Sequence, residues 1–187
     1  MKNLNLRALM LVVLCSGFFM NKSNAQIDVT INPIGLLFEN FSVGADFALT
    51  ENISVEGTIG YGSGDDSDFD FRSIPINVFG KYYFNPKNGA DKFYVSAWLR
   101  FINRSYEYDD SSVFVFSDYS QTRVGVGFGL GYKVVSKGGF VFDIGLGVGR
   151  AFIDNTSFED EDLGTIEVDW PEIMFAGKLG IGYRFGK

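Results

Sequence analysis

No histidine occurs anywhere in the chain, and its one cysteine, Cys15, lies inside an amino-terminal apolar run. The first absence removes the imidazole base that activates a serine nucleophile in Ser–His hydrolase schemes. The second removes disulfides, so an exported form must be held by hydrogen-bond ladders and packing. Cys15 does not fit a lipidated cysteine either: Leu14 stands where a small residue is expected, and the apolar run continues through Phe18, Phe19 and Met20. An excess of cations is also missing. Lys and Arg total 16 against 23 Asp and Glu, a net charge of −7, which argues against a nucleic acid or an anionic surface as partner. Beyond Ala25 no apolar run approaches the roughly 18 residues of a spanning helix, and helical periodicity is hard to find.

The first 25 residues read as a cleaved signal peptide. Lys2 and Arg7 precede the apolar run Ala8–Met20, and Ser23 and Ala25 occupy the small-residue positions before the cleavage point. The run is shorter than the ~20 residues needed to cross a bilayer as a helix. Cleavage after Ala25 leaves residues 26–187, enough for one domain. Because the leader carries Lys2, Arg7 and Lys22 and no acid, the net charge then moves from −7 to −10.

What the chain has in abundance is alternation. Phe41-Val43-Ala45-Phe47-Leu49 interleaves with Ser42, Gly44, Asp46 and Ala48. Thr122 to Val134 interleaves with Arg123, four glycines and Lys133. The same period of two marks 53–61, 74–84, 93–101, 140–148 and a last strand from about Trp170 to Phe185. An eighth strand is expected in Ile27–Phe38, with a bulge or bend at Asn32-Pro33. Short turns (Thr50–Asn52, Asn85–Asp91, Ser136–Gly139) alternate with longer acidic segments read as irregular loops (Ser63–Phe71, Tyr106–Ser120, Ala151–Asp169).

The two strand faces are unequal in an informative way. One is continuously apolar and nearly uncharged; the other is glycine, serine, threonine and isolated charges, too small and polar for a dry soluble core. Such a set fits a narrow polar lumen with the apolar face toward lipid, where only a closed barrel satisfies strand hydrogen bonds. Tyr82, Phe84, Phe93, Tyr132, Phe140, Tyr183 and Phe185 fall near the short-turn ends, as an interfacial girdle would. The fold predicted is all-β: a single eight-stranded antiparallel transmembrane β-barrel of up-and-down topology. Its lumen charges, Asp46, Glu56, Lys81, Arg100, Arg123, Lys133, Asp143 and Lys178, are expected to pair, Glu56 with Lys81 first and Asp143 with Lys133 next. Arg104, Glu172 and Arg184 share that face.

The end of the chain, KLGIGYRFGK, places Lys178, Gly180, Tyr183 and Phe185 at the spacing of a polar residue, a glycine and two aromatics two apart. Here the whole mature chain resembles the small OmpA/OmpX-like outer-membrane barrels of Gram-negative bacteria, often labelled "porin family". In that family this motif is the signal read by the barrel-assembly machinery. Gly186 and Lys187, trailing behind the aromatic, depart from relatives that end on it. The resemblance implies an outer-membrane location with termini and short turns in the periplasm and long loops outside. It also implies contact with outer-membrane lipid, lipopolysaccharide included, and a monomer.

The function expected is a non-catalytic barrel with a structural or surface-interaction role through its acidic loops. A minor small-solute or ion-conducting pore is the second reading, and a lipid-modifying barrel enzyme the third. No cofactor and no metal site are expected. The loop acids lack EF-hand spacing, so a solvated surface is favoured over Ca²⁺ or Mg²⁺ binding. Interleaved loop aromatics such as Tyr106 and Tyr119 make the loops candidate contact surfaces for an extracellular protein. Gly125 to Gly131 is not a dinucleotide loop: its glycines recur every second residue and no helix follows, so they make room in the lumen.

Overall fold

The computed structural model describes residues 26–37, 40–66, 69–108, 118–160, 164–167 and 172–186. The leader with Ser23 and Ala25, Trp170 and Lys187 lie outside the described residues, as does the loop segment 109–117. The elements in chain order are β1 (Ile27–Ile31), α1 (Pro33–Leu37), β2 (Asn40–Ala48), β3 (Ile53–Asp66) and β4 (Phe69–Tyr83). They continue with β5 (Lys92–Tyr108), β6 (Asp118–Val135), β7 (Phe140–Asp160), β8 (Gly164–Glu167) and β9 (Ile173–Phe185).

Eight antiparallel strands form a ring, β1 to β7 and then β9. It closes where β1 pairs with β9, from Ile27 opposite Phe185 to Ile31 opposite Ile181. The ninth, β8, stands outside the ring as a short hairpin partner to the far end of β7, Ser157 opposite Glu167 through Asp160 opposite Gly164.

Burial runs opposite to that of a water-soluble barrel. Phe128, Phe175 and Leu146 are 77%, 75% and 71% exposed, while Glu56 and Asp143 are fully buried at 0%. Large apolar side chains on the outside and charges inside are stable only where the surroundings are apolar. At the short-turn end the exposed aromatics gather into pairs, with ring centroids 5.1 Å apart for Tyr82–Phe84 and for Tyr183–Phe185.

The first strand is shorter than the sequence suggested. Asn32 ends it: its side-chain Oδ1 accepts hydrogen bonds from the amides of Ile34 (3.1 Å) and Gly35 (3.2 Å). With Pro33 in the first helical position, whose missing N–H costs nothing there, the chain turns into one turn of helix rather than a bulged strand.

The segments read as irregular loops are, where described, mostly strand. β3 and β4 stay paired to Asp66 opposite Phe69, β5 and β6 to Glu107 opposite Asp118, and β7 continues to Asp160. Alternation in sequence reports which medium each face meets. Above the apolar belt that contrast fades while the backbone ladder continues. One irregularity lies within β7. Val124 pairs with Ile153 and Gly125 with Ala151, leaving Phe152 as the extra residue of a bulge. Side-chain parity flips there, so Phe152 and Ile153 are both exposed while Ala151 and Thr156 are buried.

Inside, an apolar layer of Phe79, Trp98, Ile102 and Met174 lies at mid-height. The lumen glycines admit its largest member. A Cβ at Gly127 would overlap the Trp98 ring, and one at Gly147 would come within 2.6 Å of Trp98 Nε1. The indole instead donates to the carbonyl of Phe128 at 3.3 Å.

Candidate functional site

The charged residues that alternation turns inward meet in one cluster between the short-turn end and the Trp98 layer. Lys81 of β4 is its centre. The ammonium lies 2.8 Å from Asp46 of β2, 2.7 Å from Glu56 of β3 and 3.0 Å from Asp143 of β7, so its three donors have three carboxylates. Lys178 of β9 reaches Glu56 and, at 2.5 Å, Asp143. Lys133 of β6 reaches Asp46 and, at 2.9 Å, Asp28 of β1. Arg184 of β9 completes the set with a two-pronged contact to Asp28, Nε to Oδ1 at 2.5 Å and Nη2 to Oδ2 at 2.7 Å. Four carboxylates thus face four cations, and the cluster is neutral.

Two tyrosines join the cluster. Tyr94 donates to Asp143 Oδ1 at 2.8 Å and Tyr83 to Asp46 Oδ2 at 3.3 Å, their rings 5.2 Å apart. The Lys81 and Lys133 ammonium groups lie 4.9 Å and 5.4 Å from the Tyr94 and Tyr83 ring centres. Below them the β4–β5 turn folds under the ring. Asp91 accepts from the amides of Lys87 (2.6 Å) and Asn88 (3.2 Å), and Arg184 donates to the carbonyls of Asn88 and Ala90. Gly89, at φ +76°, is left-handed like Asn85 at φ +50° in the same turn, and a Cβ at Gly89 would overlap Gln26 and press on Arg184.

Of the eight lumen charges singled out from sequence, six meet here: Asp46, Glu56, Lys81, Lys133, Asp143 and Lys178. Glu56 and Lys81 pair as expected. Lys133 and Asp143 do not, although they are opposite one another on β6 and β7. Lys133 reaches past its neighbour to Asp28 and Asp46 across the lumen, and Asp143 takes Lys81 from the opposite wall and Lys178 from the adjoining strand, because the narrow bore brings opposite walls within side-chain length. Arg100 and Arg123 stand apart. Arg100 donates from Nε to Asn77 Oδ1 and from Nη1 to the carbonyl of Phe175 (2.6 Å), with its guanidinium 5.6 Å from the Trp98 ring centre. Arg123 pairs with Asp154 at 2.9 Å near the outer end, and Glu172 pairs with Arg150 at the surface.

Sequence reasoning missed Asp28. Its signal was present: a lone acid at the inward parity of Ile27-Asp28-Val29-Thr30-Ile31, the same pattern as Asp46. The carboxy-terminal motif divides by parity. Lys178 belongs to the cluster and Gly180 faces inward against Thr30, whereas Tyr183 and Phe185 face outward.

Chemically the cluster binds its own members. Carboxylate oxygens of Asp46, Glu56 and Asp143 come within 4.8 Å of one another, close enough to hold a metal ion, but the Lys81 ammonium occupies the position between them.

A major outer membrane protein from Thermus thermophilus has a similar structure. The TM-score is 0.50 at 13% identity, over 86% of this chain and 98% of that one, and the likeness is one of fold. The translocator domain of the autotransporter NalP from Neisseria meningitidis aligns with a TM-score of 0.41 at 14% identity, over 97% of this chain and 68% of that one. No curated protein matches. A family model described as "Protein of unknown function (DUF3575)" matches residues 8–182. That match takes in the strand ring as far as Gly182 of β9, and the chain belongs to the DUF3575 family.

Proposed function

We propose that the protein is an integral outer-membrane barrel of the OmpA/OmpX-like kind, non-catalytic and closed to solutes. It serves the envelope structurally or through contacts made by its acidic outer hairpins. The observation that carries this reading is the neutral cluster around Lys81: it blocks the lumen at the short-turn end with paired charges and ties β1, β2, β3, β4, β6, β7 and β9 together across the bore. In such a barrel the short turns and both termini face the periplasm, and the hairpins of β3–β4, β5–β6 and β7–β8 face outward. Tyr183 and Phe185, exposed on the last strand, suit recognition by the barrel-assembly machinery. Outer-membrane lipid, lipopolysaccharide included, covers the apolar belt, and the barrel works as a monomer.

Planar-bilayer recording of the purified protein tests the closed lumen. The wild type and the Glu56→Ala variant are expected to give no reproducible conductance steps. Regular steps from the wild type would replace this reading with the minor pore.

A further inference from the structure

The outer half of the ring is incomplete between β2 and β9. β1 ends at Ile31, opposite Val43 and Ile181, whereas β2 continues to Asn40 and β9 to Ile173 with no described strand between them. α1 sits in this interval, leaning on β2 so closely that a Cβ at Gly35 would overlap the Asn40 carbonyl. Backbone groups of β9 in this stretch find other partners: the Phe175 carbonyl takes the Arg100 guanidinium from the opposite wall.

Two cavities meet at the interval and share Asn32, Gly177, Lys178 and Leu179. The inner one, about 430 Å³, occupies the lumen above the Trp98 layer. Arg100, Arg104 and Lys178 line it together with Asn77, Ser73 and Thr58, and no Asp or Glu is among its described lining residues. Lys178 is held by Glu56 and Asp143 in the cluster below, so the chamber's own cations are Arg100 and Arg104, a selective feature in a chain of net charge −7. Arg104 Nε is shielded from solvent and donates to no described residue. The outer cavity, about 630 Å³, runs over the apolar exterior past Ile34, Leu146, Ile144, Leu130 and Tyr132. Both volumes lie in the range of sites that hold small ligands.

We infer that the outer half of the barrel binds a single-chain amphiphile with an anionic head, a carboxylate or a phosphate monoester. The head enters the Arg100–Arg104 chamber through the interval between β2 and β9, and the chain lies in the groove beside Ile34. Guanidinium forks match either head in charge and geometry. The shared Asn32–Leu179 mouth joins a polar cationic space to an apolar one, the division an amphiphile carries in its own structure. The inference rests on the reading that the barrel stands in a membrane, since the ligand arrives laterally from the lipid.

Trp98 supplies the reporter. The sequence has two tryptophans, so a Trp170→Phe background isolates Trp98, which lies beneath the chamber and is screened from the bilayer. The full chain is folded into vesicles of zwitterionic lipid and titrated with brominated palmitate. Saturable quenching, reversed by unlabelled palmitate or lysophosphatidate, is expected, and the stronger competitor identifies the head. A brominated alkyltrimethylammonium should not quench saturably. Arg104→Gln should weaken binding about tenfold, the loss of one charge-assisted contact. Gly177→Phe should weaken it comparably by filling the groove mouth; a Cβ there meets nothing within 4 Å, so the wall itself is undisturbed. Quenching that rises linearly, is equal for the cationic probe and ignores both substitutions would overturn the inference. Gel mobility of the same unboiled samples reports the folded barrel separately, so a failed titration with the barrel intact counts against the ligand site alone.

Discussion

Lys133 and Asp143 are direct cross-strand partners on β6 and β7, yet they form no ion pair with one another. Lys133 reaches Asp28 and Asp46 on β1 and β2, while Asp143 takes Lys81 and Lys178 from β4 and β9. A ladder of neighbouring pairs would fix only local register. A crossed network couples opposite walls, so its members fail together.

Lys81→Met should therefore be among the most damaging single substitutions. It leaves Asp46, Glu56 and Asp143 crowded without their common donor, at a cost of about 3–5 kcal/mol. Urea unfolding of protein refolded into vesicles measures this. By contrast Arg150→Gln, which breaks the exposed pair with Glu172, should change stability by less than about 1 kcal/mol.

Glycines on the two faces should respond oppositely. Gly127→Val drives a side chain into the Trp98 ring and should cost about 1–3 kcal/mol. Gly57→Val adds a branched side chain where nothing lies within 4 Å and should stay within about 0.5 kcal/mol of the wild type. Equal effects in the same urea series would contradict the assignment of faces.

A charge placed on the apolar belt should be penalised by depth. Phe128→Arg, in the middle of β6, should destabilise the vesicle-inserted barrel by about 2–4 kcal/mol. Ser120→Arg, on the exposed outer part of the same strand, should be near neutral. A barrel surrounded by water would show no such gradient.

Tyr94→Phe removes the hydroxyl that donates to Asp143 and keeps the ring against Lys81. A hydrogen bond to a charged group is worth about 1.5–3 kcal/mol, and a loss of that order is expected in the unfolding free energy.

The ring and most of the lumen cluster were legible because period-two alternation fixes which side chains share a face. Glu56 and Lys81 could be paired from strand order alone. What alternation does not carry is distance across the bore, and this is why Lys133 and Asp143 were expected to pair. Nor does it mark where a ladder ends. Asp65 and Asp70 lie opposite one another on strands that read as loop, since acids stand at both parities of Asp65-Asp66 there. Phe152 hid a bulge because a doubled apolar residue looks like the end of a strand. Asp28 is harder to read because its strand is only five residues long before Asn32-Pro33 ends it. The acid itself stands in regular alternation.

The most direct measurement concerns the membrane barrel itself. Cell envelopes are fractionated, and the outer-membrane and soluble periplasmic fractions are run unboiled and boiled on a denaturing gel. A closed, lipid-embedded ring held by the Lys81 cluster should appear in the outer-membrane fraction and change mobility on boiling. Recovery in the soluble periplasm, with the same mobility before and after heating, would contradict it.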